Sequence, residues 1–210
     1  VYGMDLTPVA YTLDANADGT IKSADGDKVW AFFGMRRGGN SYYALDITSP
    51  NTPSFMWRIG QDVSGFSELG QTWSEPVVTR IPGYKDDEGI PKPVLIFGAG
   101  YDTNKDGSGV GTIDSQGRGI FIVDAQTGAL VWSLTPAAND AKNMSAPGLL
   151  HAVPGDVTVL DSNADELTDR IYFGDTGGNV WRVDLPGNAL PSASQDSWFI
   201  TKLGDFNGGL

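Results

Sequence analysis

Three stretches of this sequence repeat one pattern, and the repeat limits the available folds more than any other feature. "KVWAFFG" (Lys28 to Gly34) leads through a loop to "GGNSYYALDITSP". "PVLIFGAG" (Pro93 to Gly100) leads to "GRGIFIVDAQTGALVW", and "DRIYFGD" (Asp169 to Asp175) to "GGNVWRVDLPG". Each is a short apolar strand ending in or just after Phe-Gly, then a glycine turn, then an alternating strand that ends in aspartate. The closing aspartates, Asp46, Asp124 and Asp184, stand 78 and 60 residues apart. A matching lead-in precedes each unit ("MDLTPVAYTL", "TWSEPVVTRI", "SAPGLLHAVPGDVTVL"), and two units are followed by a tryptophan strand, "SFMWRIG" and "ALVWSL".

Four short strands per unit joined by glycine-rich turns predict an all-β chain built of β-propeller blades, with a long-looped β-sandwich as the weaker alternative. The units run roughly over residues 1–70, 71–143 and 144–190, and "SWFITKLGD" is expected to open a further one over 191–210. A single blade cannot bury both faces, so neighbours are obligatory. In "IFIVDAQTGALVW", Phe121, Val123, Leu130 and Trp132 are expected to pack between blades, while Asp124, Thr127 and Gly128 form the turn. Three to four blades fall short of most closed rings of ~4–8. The expectation is a partial or modified propeller whose remaining blades lie elsewhere.

Composition agrees with this reading. There are 22 Asp against 4 Glu, together with 28 Gly and 12 Pro. Asp favours turns where Glu favours helices, so the balance points to turn-rich β structure and to oxygen-ligand sites. A net charge of −12 opposes binding to nucleic acid or an anionic membrane and favours cations as partners. The absence of cysteine removes disulfides and thiolate zinc sites. No apolar run is long enough to span a bilayer. The opening "VYGMDLTPVAYTLD" carries no signal peptide and reads as the interior of a longer protein.

Three acidic loops have the alternating spacing that lets oxygen ligands converge on Ca²⁺. "DSNADELTD" offers Asp161, Asn163, Asp165, the carbonyl of Leu167, and Asp169; Glu166 stands where a glycine is usual. From spacing alone it is either a short cation loop closed at its ninth residue or a solvated acidic turn. "DANADGTIKSAD" offers Asp14, Asn16, Asp18, the Thr20 carbonyl and Asp25, with Gly19 at the sharp turn and Ile21 after it. It is similar to dockerin-type calcium loops, though flanking helices are missing; the alternative is a hairpin tip rich in Asx turns. "DTNKDGSGVGTID" starts equally well with Asp102, Asn104 and Asp106, but Asp114 falls out of register. With Gly107, Gly109 and Gly111 it reads as a long mobile loop.

Catalytic signatures are missing. His151 is the sole histidine, without a Gly-x-Ser-x-Gly elbow or a second metal-binding histidine, so it reads as structural. The glycines of "GAGYDTNKDG" match neither a dinucleotide-binding nor a P-loop spacing. Arg36 and Arg37 could grip an anion but more simply keep a turn soluble, and Trp57, Trp132 and Trp181 occupy strand positions that belong in a core.

The segments "YYALDITSP" and "IFIVDAQTGALVW" resemble repeats of quinoprotein-type propellers, some of which bind pyrroloquinoline quinone and oxidise alcohols. A closer resemblance, across nearly the whole chain, is to the PilY/PilC family of type IV pilus tip proteins. It rests on "FFGMRRGGNSYYALDITSP", "ELGQTWSEPVV", "PVLIFGAGYD", "GRGIFIVDAQTGALVW" and above all "DSNADELTDRIYFGDTGGNVWRVDL". The resemblance implies a non-enzymatic, quinoprotein-like propeller with Ca²⁺ at Asp161, Asn163, Asp165, Leu167 and Asp169, where asparagine departs from an all-aspartate loop. It also implies a cell-surface protein at the pilus tip or outer membrane of a Gram-negative bacterium, supporting pilus extension against retraction. Its partners would be minor pilins and host or abiotic surfaces; no Arg-Gly-Asp tripeptide is present. A fragment of a quinone-dependent dehydrogenase is the rival reading. The acidic loop is expected at a blade's outer turn, with Asp175 belonging to the glycine turn beyond it.

Overall fold

The computed structural model describes residues 2–107 and 112–207; Gly109 and Gly111 of the third acidic loop lie outside them. The described residues form three sheets with strands in chain order across each. The first contains β1 (Val9–Leu13), β2 (Lys28–Gly34), β3 (Ser41–Asp46) and β4 (Ser54–Gly60). The second contains β5 (Val77–Thr79), β6 (Val94–Gly98), β7 (Ile120–Asp124), β8 (Leu130–Thr135) and β9 (Asn143–Ser145). The third contains β10 (Thr158–Leu160), β11 (Arg170–Gly174), β12 (Asn179–Asp184) and β13 (Phe199–Asp205). All pairings are antiparallel except β8 with β9, so each sheet is an up-and-down blade.

Alternation decides which blade each side chain faces. In β6 and β7 every residue is buried, because this sheet is covered on both sides. Leu95, Phe97, Phe121 and Val123 pack toward the first blade with Phe32, Tyr42, Ala44 and Trp57. Val94, Ile96, Ile120 and Ile122 pack toward the third with Ile171, Phe173, Trp181 and Val183. Burying a large apolar side chain contributes about 1.5–3 kcal/mol, so these two seams supply most of the cohesion. The seams take Phe121, Val123, Leu130 and Trp132 as expected, with a division: Leu130 packs on the first seam and Trp132 on the second.

Polar bonds repeat across the seams. Trp57 Nε1 donates to the Ala125 carbonyl at 3.0 Å, and Trp132 Nε1 donates to Gln195 Oε1 at 2.8 Å. The fourth-strand tryptophans of the first and second blades thus reach the connection before the next blade's fourth strand. Buried Asp114 adds a further tie, accepting from the Ala152 amide and the Thr176 hydroxyl.

Two features differ from expectation. "SWFITKLGD" opens no further unit: Phe199–Asp205 pairs with β12 and completes the third blade beyond residue 190. The cause is the connection, which in this blade is the long 185–198 loop instead of a tight Thr-Gly turn. The second blade also gains a short parallel strand, β9, held by Asn143, whose buried side chain accepts from Ser133 and Thr135 hydroxyls and donates to the carbonyls of Ala137 and Ala138.

Candidate metal centre

The Asp14 and Asp161 loops occupy the same place in two blades, joining β1 to β2 and β10 to β11. Strands β1 and β5 approach each other, whereas β4 and β13 lie at the opposite edges. The acidic loops therefore belong to the innermost hairpin of their blades, not to an outer turn. In the second blade the matching connection, 80–93, carries Asp86, Asp87 and Glu88.

The two loops wind the same way. Asp161 Oδ1 accepts the amide of Ala164 at 2.7 Å and Oδ2 that of Glu166 at 2.9 Å. Asn163 Oδ1 accepts the amide of Asp165, and Asp165 Oδ1 that of Leu167, both at 2.9 Å. In the first blade, Asp14 accepts the amides of Asp18 and Gly19, Asn16 that of Asp18, and Asp18 that of Thr20. Ala17 and Ala164 share a left-handed backbone (φ 57° and 64°), as do Gly19 and Glu166 (φ 76° and 66°). Glycine is at ease there, whereas Glu166 strains at the same turn.

The two loops close differently onto the strands that follow them. In the third blade Asp169 closes the loop, its Oδ2 accepting the Ser162 amide at 2.7 Å and hydroxyl at 2.6 Å. Those bonds, the hydroxyl's foremost, hold its carboxyl below the ordinary aspartate range. In the first blade Asp25 is exposed in a short 3₁₀ turn and pairs with Lys22 at 3.5 Å. The equivalent of Asp169 is instead Asp27, fully buried, which accepts the amides of Ala15 at 2.8 Å and Lys22 at 2.7 Å. Sequence carried a signal for it: "DKVWAFFG" and "DRIYFGD" both begin with aspartate and a basic residue at the strand's start.

The donor set of the Asp161 loop fits Ca²⁺ in kind, with hard oxygens from three carboxylates, one amide and one carbonyl in loop order. The Asx bonds bring Asp161, Asn163 and Asp165 together, with the Asn163 amide 3.2 Å from Asp165 Oδ2. Among the described residues, however, no three acidic or histidine side chains stand close enough to form a ready-made cage. The fit lies in backbone winding and donor chemistry, and the carboxylates would have to turn inward.

The third acidic loop is committed elsewhere. Buried Asp102 accepts the amides of Asn104, Ser115 and Gln116 and the Ser115 hydroxyl. Asp106 forms a forked pair with Arg37, 3.2 Å on each arm. Arg37 thus does more than solubilise its turn. His151 lies on Gly177, where a Cβ would come within 2.1 Å of its ring. Asp175 accepts from Gly177, Asn179 and Trp181 and belongs to the glycine turn. Trp57, Trp132 and Trp181 are all buried. No helix of the described residues is long and apolar enough to cross a membrane.

Three blades in series, two of them with an Asx-wound acidic hairpin at the inner edge, define a partial β-propeller. Residues 9–199 match the family model of the PilY1 beta-propeller domain, and the chain belongs to that family. It is similar to the type IV pilus biogenesis factor PilY1 of Pseudomonas aeruginosa strain UCBPP-PA14, 29% identical over 89% of this chain and 13% of that protein. The PilY1 homolog of Xylella fastidiosa strain Temecula1 is also 29% identical, over 83% of this chain and 10% of the relative. The crystal structure of the P. aeruginosa PilY1 C-terminal domain superposes with a TM-score of 0.62 at 23% identity, covering 94% of this chain and 36% of that one. The chain thus spans roughly an eighth or less of the curated relatives' length.

Proposed function

We propose that this chain is the β-propeller module of a type IV pilus biogenesis factor working at the cell surface, at the pilus tip or outer membrane, and that it is not an enzyme. The observation that carries the reading is the family match across residues 9–199. The printed names of the relatives, pilus biogenesis factors, point the same way. Pilus components such as minor pilins, and the surfaces a pilus touches, are the partners this reading requires.

Within it, the Asp161 loop is the calcium-responsive element. Asp161, Asn163, Asp165, the Leu167 carbonyl and Asp169 would hold the ion, and Asp14, Asn16, Asp18, the Thr20 carbonyl and Asp25 a second one. Bound Ca²⁺ supplies positive charge that offsets clustered carboxylates and stiffens the hairpin. The test is complementation of a strain lacking the parent protein with the wild type or with Asp161→Ala. Loss of calcium-dependent extension in the variant alone is expected; wild-type behaviour in both would sink the calcium role. Dye-linked alcohol oxidation by the quinone-loaded chain would favour the dehydrogenase reading instead.

A further inference from the structure

The chain has 14 Lys and Arg against 26 Asp and Glu, yet one groove gathers three cations. It lies between the first and second blades, holds about 310 Å³, and is lined by Lys28, Arg80 and Lys92 with a single carboxylate, Asp86. That carboxylate is taken up by the amides of Glu88 and Ile90. Lys92 is also engaged, pairing with buried Asp124 and the Tyr84 hydroxyl. Two cations remain to face the groove.

Lys28 stands at the head of β2, where its charge is felt by Asp27 and Asp46 without a direct ion pair among the described residues. Arg80 is half-buried, and its side chain makes no hydrogen bond or ion pair among the described residues. Its backbone carbonyl accepts from the Thr168 amide at 2.8 Å and the Thr79 hydroxyl at 3.5 Å. A guanidinium is a planar fork suited to a carboxylate, and Arg80 presents one to the groove with no protein carboxylate already bound to it among the described residues. Beside it, Tyr11 tilts against Trp30 at 5.1 Å between ring centres, giving the groove an aromatic wall. A smaller cleft of about 240 Å³ opens past Arg80, again along Tyr11.

The geometry points to a binding site for a small organic carboxylate, one acid group carried on a ring-sized body. The acid would meet Arg80 and Lys28, and the ring would lie against Tyr11. Volume near the low end of ligand sites, an apolar wall and few convergent polar groups all suit such a molecule. A polyanion suits it poorly, since the molecule's net charge of −12 repels every further negative group. The acid sugar of a surface glycan and a free aromatic acid share this chemistry, and separate probes distinguish them.

The test is titration of the chain in calcium-free buffer with glucuronate, benzoate and neutral glucose, followed by the NMR signals of the Trp30 indole and Arg80 side chain. Calcium-free buffer makes the result independent of the acidic loops. Saturable shifts with at least one acid and none with glucose are expected, with Arg80→Gln weakening binding by about tenfold or more. Lys28→Gln serves as a second variant with a smaller loss, and Arg80→Lys recovers part of the affinity. A preference for glucuronate identifies the glycan source, and one for benzoate the aromatic acid. No shift with either acid, or equal shifts with glucose, would overturn the assignment.

Discussion

The carboxylate of Asp27 accepts the amide of Ala15, twelve residues earlier, at 2.8 Å, and so latches the first acidic hairpin against the strand it feeds. Asp27→Ala leaves the amides of Ala15 and Lys22 without that acceptor, while Asp25→Ala removes only an exposed pairing with Lys22. The first is expected to lower the melting temperature by on the order of 5 °C, the second by about 1 °C or less. Thermal melts in chelator compare them. Equal effects would show that Asp27 is no latch.

Glu166 occupies the left-handed position that glycine takes in the sister loop, at φ 66° against 76° for Gly19. Glu166→Gly relieves that strain at some cost in unfolded-state entropy, for a net gain of roughly 0.5 kcal/mol. Denaturant titration in chelator should move the midpoint upward, and a downward shift would show the turn is unstrained. In calorimetry, Asp161→Ala should abolish the heat of calcium binding to this loop, whereas Glu166→Gly should keep it.

The seam between the second and third blades depends on Gln195 accepting from the buried Trp132 indole at 2.8 Å. Gln195→Ala leaves that donor orphaned, for an expected loss of ~1–3 kcal/mol. Trp132→Ala adds a cavity and should cost ~3–5 kcal/mol. Chemical denaturation of the two variants and their double mutant checks both values, with the double mutant expected to lose less than the sum.

Acid should loosen the second blade through Asp124. Burial acts to raise its pKa, but hydrogen bonds from Lys92, Tyr84 and Thr127 outweigh burial, and the folded carboxyl titrates below its unfolded value of about 3.9. Between those two values the unfolded chain binds more protons, so stability rises with pH there. The contribution is complete above about pH 4–5 and is lost as pH falls through the folded pKa. Melting curves of the wild type and Asp124→Asn should run at a constant offset from pH 7 to about pH 5 and converge below about pH 4. A constant offset down to about pH 2 would contradict the assignment.

Strands that carry both alternation and a Phe-Gly ending were legible from sequence, because those residues must fill a seam and turn sharply within a few positions. β13 was not, since its partner β12 lies across the long 185–198 loop, and exposed Phe199 and Leu203 leave its core face defined by little besides Ile200. β9 was hidden as well: three residues held in place by one asparagine show no periodicity. Ligand spacing singled out Asp14, Asn16 and Asp18, which share one Asx-wound loop. It did not reveal Asp27, because counting to a twelfth residue ends on Asp25 in the 3₁₀ turn Ser23–Asp25 and passes over the buried carboxylate beyond it.

The parallel strand β9 also sets how the molecule would bear tension. Among the described residues, rim strands β4 and β13 are hydrogen-bonded along one side only, so a pull on either can unzip it one bond at a time. β8 is held on both sides, and it cannot peel until Asn143–Ser145 has been stripped from it. Under load the middle blade should therefore yield last, with its neighbours fraying first at their rims.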